Sequence, residues 1–214
     1  MTFVQSERDA LCSTLLAAGP DAPTLCEGWS THDLAAHLWV RENDPVGAPG
    51  IVVGALAGVT DKRMAETKAR WSYRDLVARL TQGPTRWSVF AIPGMDEQAN
   101  SVEYFIHHED VRRAGPAPEA PRTLDPQVEE SIWKRLRLMG RALFRRSPVG
   151  IVLERSDVTG AEPIRAMAGN PTVTLSGTPS ELMLYAYGRR EVAQVRAIGD
   201  EAALAQIEGI DLSL

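Results

Sequence analysis

Every strand-like segment of this 214-residue chain lies beyond Pro148, and that asymmetry restricts the fold to helices first and a mixed α/β part second. Before Pro148, apolar residues recur at helical spacing. Leu11, Leu15 and Leu16 form a stripe on a helix over residues 6–18, and Gly19-Pro20 stops it. Ser30 followed by Asp33 reads as a capping box with Asp in place of Glu, opening a second helix that runs to residue 41. Further helices are expected over residues 60–70, from a Ser72/Asp75 cap to Gln82-Gly83-Pro84, and from Asp96 to the residues before Gly115-Pro116. The run Gly115-Pro116-Ala117-Pro118-Glu119-Ala120-Pro121 is a stiff linker, and a basic helix over residues 126–144 follows it. Then Ile151-Val152-Leu153-Glu154, Val173-Thr174-Leu175 and residues 193–198 read as strands, with helices over 179–187 and 201–207. The chain is therefore expected to be α+β. A helical bundle over residues 1–146, including the helix after the linker, precedes a small α/β domain over residues 147–214.

A chain this long buries roughly 70% of its unfolded surface and needs no staples. Hydrophobic residues at 44% and charged residues at 24% fit an ordinary globular protein. The net charge of −5 argues against nucleic acid as a partner. The basic helix sets Arg137, Arg141 and Arg145 on one face, which reads as a solvated face answering the acidic excess. No apolar run approaches ~18 residues, so no membrane span is expected. The segment Met1 to Glu7 has neither a basic start nor an apolar run, so no signal peptide is expected. Cys12 and Cys26 make no disulfide framework, so a cytoplasmic chain with reduced thiols is expected, as monomer or homodimer.

The four histidines fall in two pairs, His32 with His37 and His107 with His108. On a helix advancing ~100° per residue, His37 lies about 60° from Leu34 and faces partly inward, whereas His32 lies about 160° away and points to solvent. On the later helix, Glu103, His107 and Asp110 fall within an arc of about 60°. Ile106 lies on one side of that arc, and Tyr104 with Val111 on the other. His108 points roughly 100° from His107. A polar stripe between apolar flanks suits the interior of a bundle better than a solvated face. Glu103 and His107 at i, i+4 can reach one point, and His37 from a neighbouring helix adds a second imidazole. Two imidazoles and a carboxylate suit Zn²⁺ in an open site, and equally Fe²⁺, Ni²⁺ or Mn²⁺. Asp110 would orient His107 or serve as an alternative ligand. A Glu-x-x-x-His pair is also common as a plain surface or core pair, so a structural cluster without metal is the competing reading.

The segment Cys26-Glu27-Gly28-Trp29-Ser30-Thr31-His32-Asp33-Leu34-Ala35-Ala36-His37-Leu38 resembles the first signature of the DinB-like metal-binding bundles, in the branch of mycothiol-dependent maleylpyruvate isomerase. Glu103-x-x-x-His107-x-x-Asp110-Val111 is similar to that family's second signature. Residues 177–199, with Gly188-Arg189, resemble the family's small sterol-carrier-like domain. The resemblance implies a DinB-like four-helix bundle followed by that domain. It implies a divalent metal, usually zinc, on His37, Glu103 and His107, and a low-molecular-weight thiol, mycothiol, as cosubstrate. His108-Glu109 stand where the isomerase has small or apolar residues, and they bear on packing more than on the metal.

A thiol at such a metal loses its proton and becomes the nucleophile of an S-transferase or isomerase acting on a small electrophile. A carboxylate on that electrophile calls for an arginine fork; Arg189 is the candidate, with Arg41 behind it. Cys26 reads as a small packed thiol at a helix entry rather than a catalytic nucleophile, and Trp29 and Trp39 read as core. The alternative function is a metal-containing binding or sensing protein without turnover.

Overall fold

The computed structural model describes residues 2–52 and 54–208. The chain is α+β and divides into two compact units, Met1–Ala120 and Pro121–Leu214. The first unit is helical: α1 (Phe3–Ala18), α2 (Thr31–Asn43), a short α3 (Pro49–Val52), α4 (Ala57–Arg70), α5 (Tyr73–Thr81) and α6 (Met95–Arg112). Helix α1 starts ahead of the expected residue 6 because Thr2 and Gln5 form a capping box of their own. The anticipated box at α2 is present: the Ser30 hydroxyl accepts from Asp33 N, and Ser30 N donates to Asp33 Oδ2 at 3.0 Å. Helix α1 lies against α5 and α6, and α2 against α4 and α5. Leu11, Leu15, Leu34, Leu38, Leu76 and Leu80 are buried together between them. Each such side chain contributes roughly 1.5–3 kcal/mol on leaving water.

Two helices are central. Helix α2 buries five consecutive residues, Leu34 to Leu38, and α6 buries every residue from Tyr104 to Val111. Such a helix has no solvent side over those turns, so each of its faces meets a neighbouring element.

The second unit contains α7 (Pro126–Leu143), β1 (Gly150–Arg155), β2 (Ile164–Met167), β3 (Thr172–Gly177), α8 (Pro179–Ala186), β4 (Arg196–Ile198) and α9 (Glu201–Glu208). The sheet order is β2-β1-β3-β4, with β1 and β3 parallel and the outer pairs antiparallel. Strand β2 was not legible in the sequence: it is a four-residue edge strand whose alternation, with Ile164 and Ala166 buried and Arg165 exposed, is too short to stand out. The helix after the linker joins this unit, not the bundle, so the boundary falls at 120/121 rather than 146/147. Helix α7 buries Ile132, Trp133, Leu136 and Leu143 and packs on α8 and β2. Gly140 lets it approach β2: an added Cβ would stand 3.2 Å from the Ala166 Cβ. Glu129 accepts from Ser180 N and Oγ at 2.8 and 2.7 Å, which ties α7 to the first turn of α8.

Candidate metal centre

His37 comes from the middle of α2, and Glu103 and His107 from successive turns of α6. Packing within the first unit brings the three together. Glu103 Oε1 lies 3.3 Å from His37 Nε2 and 3.3 Å from His107 Nε2. One donor atom from each residue lies within 4.8 Å of the others. The two imidazole rings are edge to face at 5.2 Å between centroids, so both Nε2 atoms are directed at one carboxylate oxygen. Both histidines are buried, while the Glu103 side chain keeps 20% of its exposure. The donors are borderline nitrogens and a hard oxygen, a set that suits first-row dications.

The environment also fixes charge. Burial pushes the His37 imidazole down from its usual range, against the pull of Glu103 and with the nearby His107 and Arg41 charges adding to the loss. Burial alone would raise the Glu103 carboxyl. Hydrogen bonds from His107 and His37 and the Arg41 charge outweigh it and hold Glu103 well below the carboxylate range. Burial likewise disfavours a charged His107, yet hydrogen bonds with Asp110, Cys26 and Glu103 hold that imidazole well above its usual range. Without a metal, the proton is thus favoured on His107 over His37, and Glu103 is favoured as the carboxylate between them.

Behind these residues stands a buried polar chain. Arg41 Nε lies 3.2 Å from Glu103 Oε1, and the guanidinium also donates to Ala99 O at 3.1 Å and to Asn100 Oδ1. Asn100 Nδ2 donates to Glu42 at 2.8 Å and Asp96 at 2.7 Å. Both carboxylates then receive Arg8 from α1, at 2.7 and 2.9 Å. Arg41 therefore positions Glu103, a role the sequence did not reveal. Nothing in the sequence marks Arg8, Glu42 and the Asp96/Asn100 pair as partners, because these three positions lie far apart along it.

On the opposite edge of the His107 ring, Nδ1 lies 2.8 Å from Asp110 Oδ2, the orienting contact expected of Asp110. The Cys26 thiol donates to the same oxygen at 3.2 Å and lies 3.9 Å from Nδ1. The expectation that Cys26 only packs is incomplete. Trp29 rests on the His37 ring, centroids 4.9 Å apart, so it forms a wall of the centre as well as packing on the core.

No known protein family, curated protein or solved structure matches this chain. Its own geometry therefore carries the functional reading.

The other two histidines stand apart from the centre. His32 does not point to solvent as its helical angle predicts; it is half-buried against the Tyr73 ring at 5.3 Å, and its Nε2 is buried without a hydrogen-bond partner among the described residues. Helix α5 fills the side that the angle assigns to water. His108 turns away from the centre as expected, toward α1, where Nδ1 lies 3.3 Å from Glu7 and Nε2 3.0 Å from Thr14. Glu109 is buried with Arg112 and Arg113, a packing role. Arg189 lies in the second unit, just past α8, where its guanidinium donates to Tyr187 O.

Proposed function

We propose that this chain is a metal-dependent enzyme that uses a low-molecular-weight thiol, with mycothiol as the candidate, to attack a small electrophile in S-transfer or isomerisation. On this reading the first unit is a DinB-like bundle and the second a sterol-carrier-like domain. The observation that carries the proposal is the convergence of His37, Glu103 and His107, two buried imidazoles on one carboxylate oxygen. Those three residues would hold Zn²⁺, or Ni²⁺, Fe²⁺ or Mn²⁺. The metal would supply a positive point that favours the thiolate form of a bound thiol. The chain itself supplies orientation and exclusion of water. Asp110 accepts from His107 Nδ1 and so turns Nε2 toward Glu103 and His37, where a metal would take the place of its proton. Arg41 fixes the Glu103 carboxylate, and Trp29 covers the His37 ring.

Metal analysis of tag-free protein tests the first half. About one dication per chain is expected at this set, lost in His37→Ala and retained in His32→Ala. Trace metal that does not rise on adding Zn²⁺ overturns the proposal. The second half is tested by thiol consumption with a panel of electrophiles. Turnover that disappears in His37→Ala supports it, and metal occupancy with no consumption reduces the protein to a binding role.

A further inference from the structure

His107 presents each of its ring nitrogens to a different set of donors. Nε2 faces Glu103 and His37. Nδ1 faces Asp110 and Cys26, and Cys26, His107 and Asp110 form a second group whose donor atoms lie within 4.8 Å of one another. We propose that this second group is a separate divalent-cation site, held by the Cys26 thiolate, His107 Nδ1 and the Asp110 carboxylate, and selective for borderline or soft metals such as Zn²⁺ and Co²⁺.

Three observations support it. First, the donor separations are 2.8, 3.2 and 3.9 Å. Zinc bonds of about 2.0–2.3 Å to N, O and S require spacings of that order, so only a slight opening of the Asp110–His107 contact is needed. Second, the cysteine is held in place before any metal arrives. Leu25 N donates to Asp110 O at 3.1 Å, which fastens the loop before α2 to α6 beside the site. Cys26 N donates to Thr24 Oγ1 at 3.2 Å, and Trp29 N to Cys26 O at 3.0 Å, so the backbone on both sides of the thiol is fixed. Third, access and charge are suitable. Asp110 and His107 are buried and Cys26 is partly exposed, so a cation can reach the group from the Cys26 side. A thiolate also discriminates: it favours zinc and cobalt over magnesium or calcium, which prefer all-oxygen sets.

Binding forms bonds from the metal to Sγ, Nδ1 and Oδ2. It releases the thiol proton and the Nδ1 proton to solvent, and no electron is transferred. With both sites filled, His107 bridges them as an imidazolate. The four anionic groups, Glu103, Asp110, Cys26 and His107, then balance two dications.

The test is Co²⁺ titration of tag-free, chelator-treated full-length protein, following stoichiometry and the near-ultraviolet thiolate-to-cobalt band. Two equivalents are expected, one of which brings the band. Cys26→Ser should lose the band and that equivalent while keeping the other. His37→Ala should do the reverse. Cys12 is buried in α1 and its thiol is pushed up to about 11 by burial, so a band that survives in Cys26→Ser overturns the proposal. One equivalent without a band also overturns it, and leaves the His37 centre standing. A band with one equivalent that His37→Ala does not affect supports it, and overturns the His37 centre. No binding at all overturns both. If Cys26→Ser fails to keep the wild-type circular dichroism spectrum, Cys26→Ala supplies the same readout.

Discussion

Glu103 Oε1 has His37 Nε2, His107 Nε2 and Arg41 Nε all within 3.2–3.3 Å. Replacing one oxygen of that carboxylate by an amide nitrogen removes the charge and leaves only a neutral carbonyl oxygen as donor. Glu103→Gln is expected to weaken Zn²⁺ binding, measured by calorimetric titration, by more than the ~10–100-fold typical of an outer-shell change. Arg41→Met, which leaves the donors but frees the carboxylate, should fall within that outer-shell range. Arg8 works on stability instead. It is 3% exposed and holds Glu42, itself 1% exposed, with Asp96 and Tyr104. Arg8→Met leaves Glu42 buried without its cation, and urea unfolding should show a loss of about 3–5 kcal/mol. A smaller loss in the Arg8→Met, Glu42→Leu double variant would locate the cost in the orphaned charge. At this scale the sequence revealed His37, Glu103 and His107, because i, i+4 spacing and a polar stripe are local patterns. It did not reveal Arg8, or that Arg41 holds Glu103 and Asn100, because those partners are 34 to 62 residues away along the chain.

Helix α2 depends on its first turn. Ser30 and Asp33 satisfy each other's backbone groups, and Lys68 anchors Asp33 at 2.6 Å. Ser30→Ala is expected to cost about 1 kcal/mol in thermal unfolding, and to loosen His37 seven residues further on. That cap was legible because its signal is a pair of residues three apart. The surroundings of α2 and α6 were not. Angular arithmetic separates an inner from an outer face only when one side meets water. Both helices are buried nearly all round, so a residue turned away from the centre meets another helix instead. His108 meets α1, and His32 meets α5. The arithmetic was sound for where His37 and His107 lie relative to their neighbours, and failed only in assuming water opposite.

Over the whole molecule, the break at Ala120/Pro121 leaves all three centre residues in one unit. A fragment of residues 1–120 is expected to fold and to bind Zn²⁺ as the full chain does. Circular dichroism and metal titration check this, and a fragment that stays unfolded would mean that α7 belongs to the bundle core after all. The second unit carries an acid-sensitive contact. The Arg155 hydrogen bonds hold the Asp157 carboxyl below its usual range, against burial. A carboxyl lowered in the fold contributes stability above its unfolded value of about 3.9, and that contribution is lost as pH falls through the folded value. Glu129 opposes it: burial raises its carboxyl, against its Ser180 bonds, so its contribution is present below its unfolded value of about 4.3 and lost as pH rises. Asp157→Asn should lower the urea midpoint at neutral pH and flatten its decline between about pH 5 and about pH 2. By itself the sequence determined the order of helices before strands, the caps, and which histidine of each pair turns toward Glu103, since all of these follow from residues a few positions apart. Only the tertiary structure decided that α7 joins the sheet, that β2 forms an edge, that Arg41 and the Arg8 chain stand behind Glu103, and that Cys26 reaches Asp110. Those depend on contacts between residues tens of positions apart, which shape complementarity and burial select and local pattern does not encode.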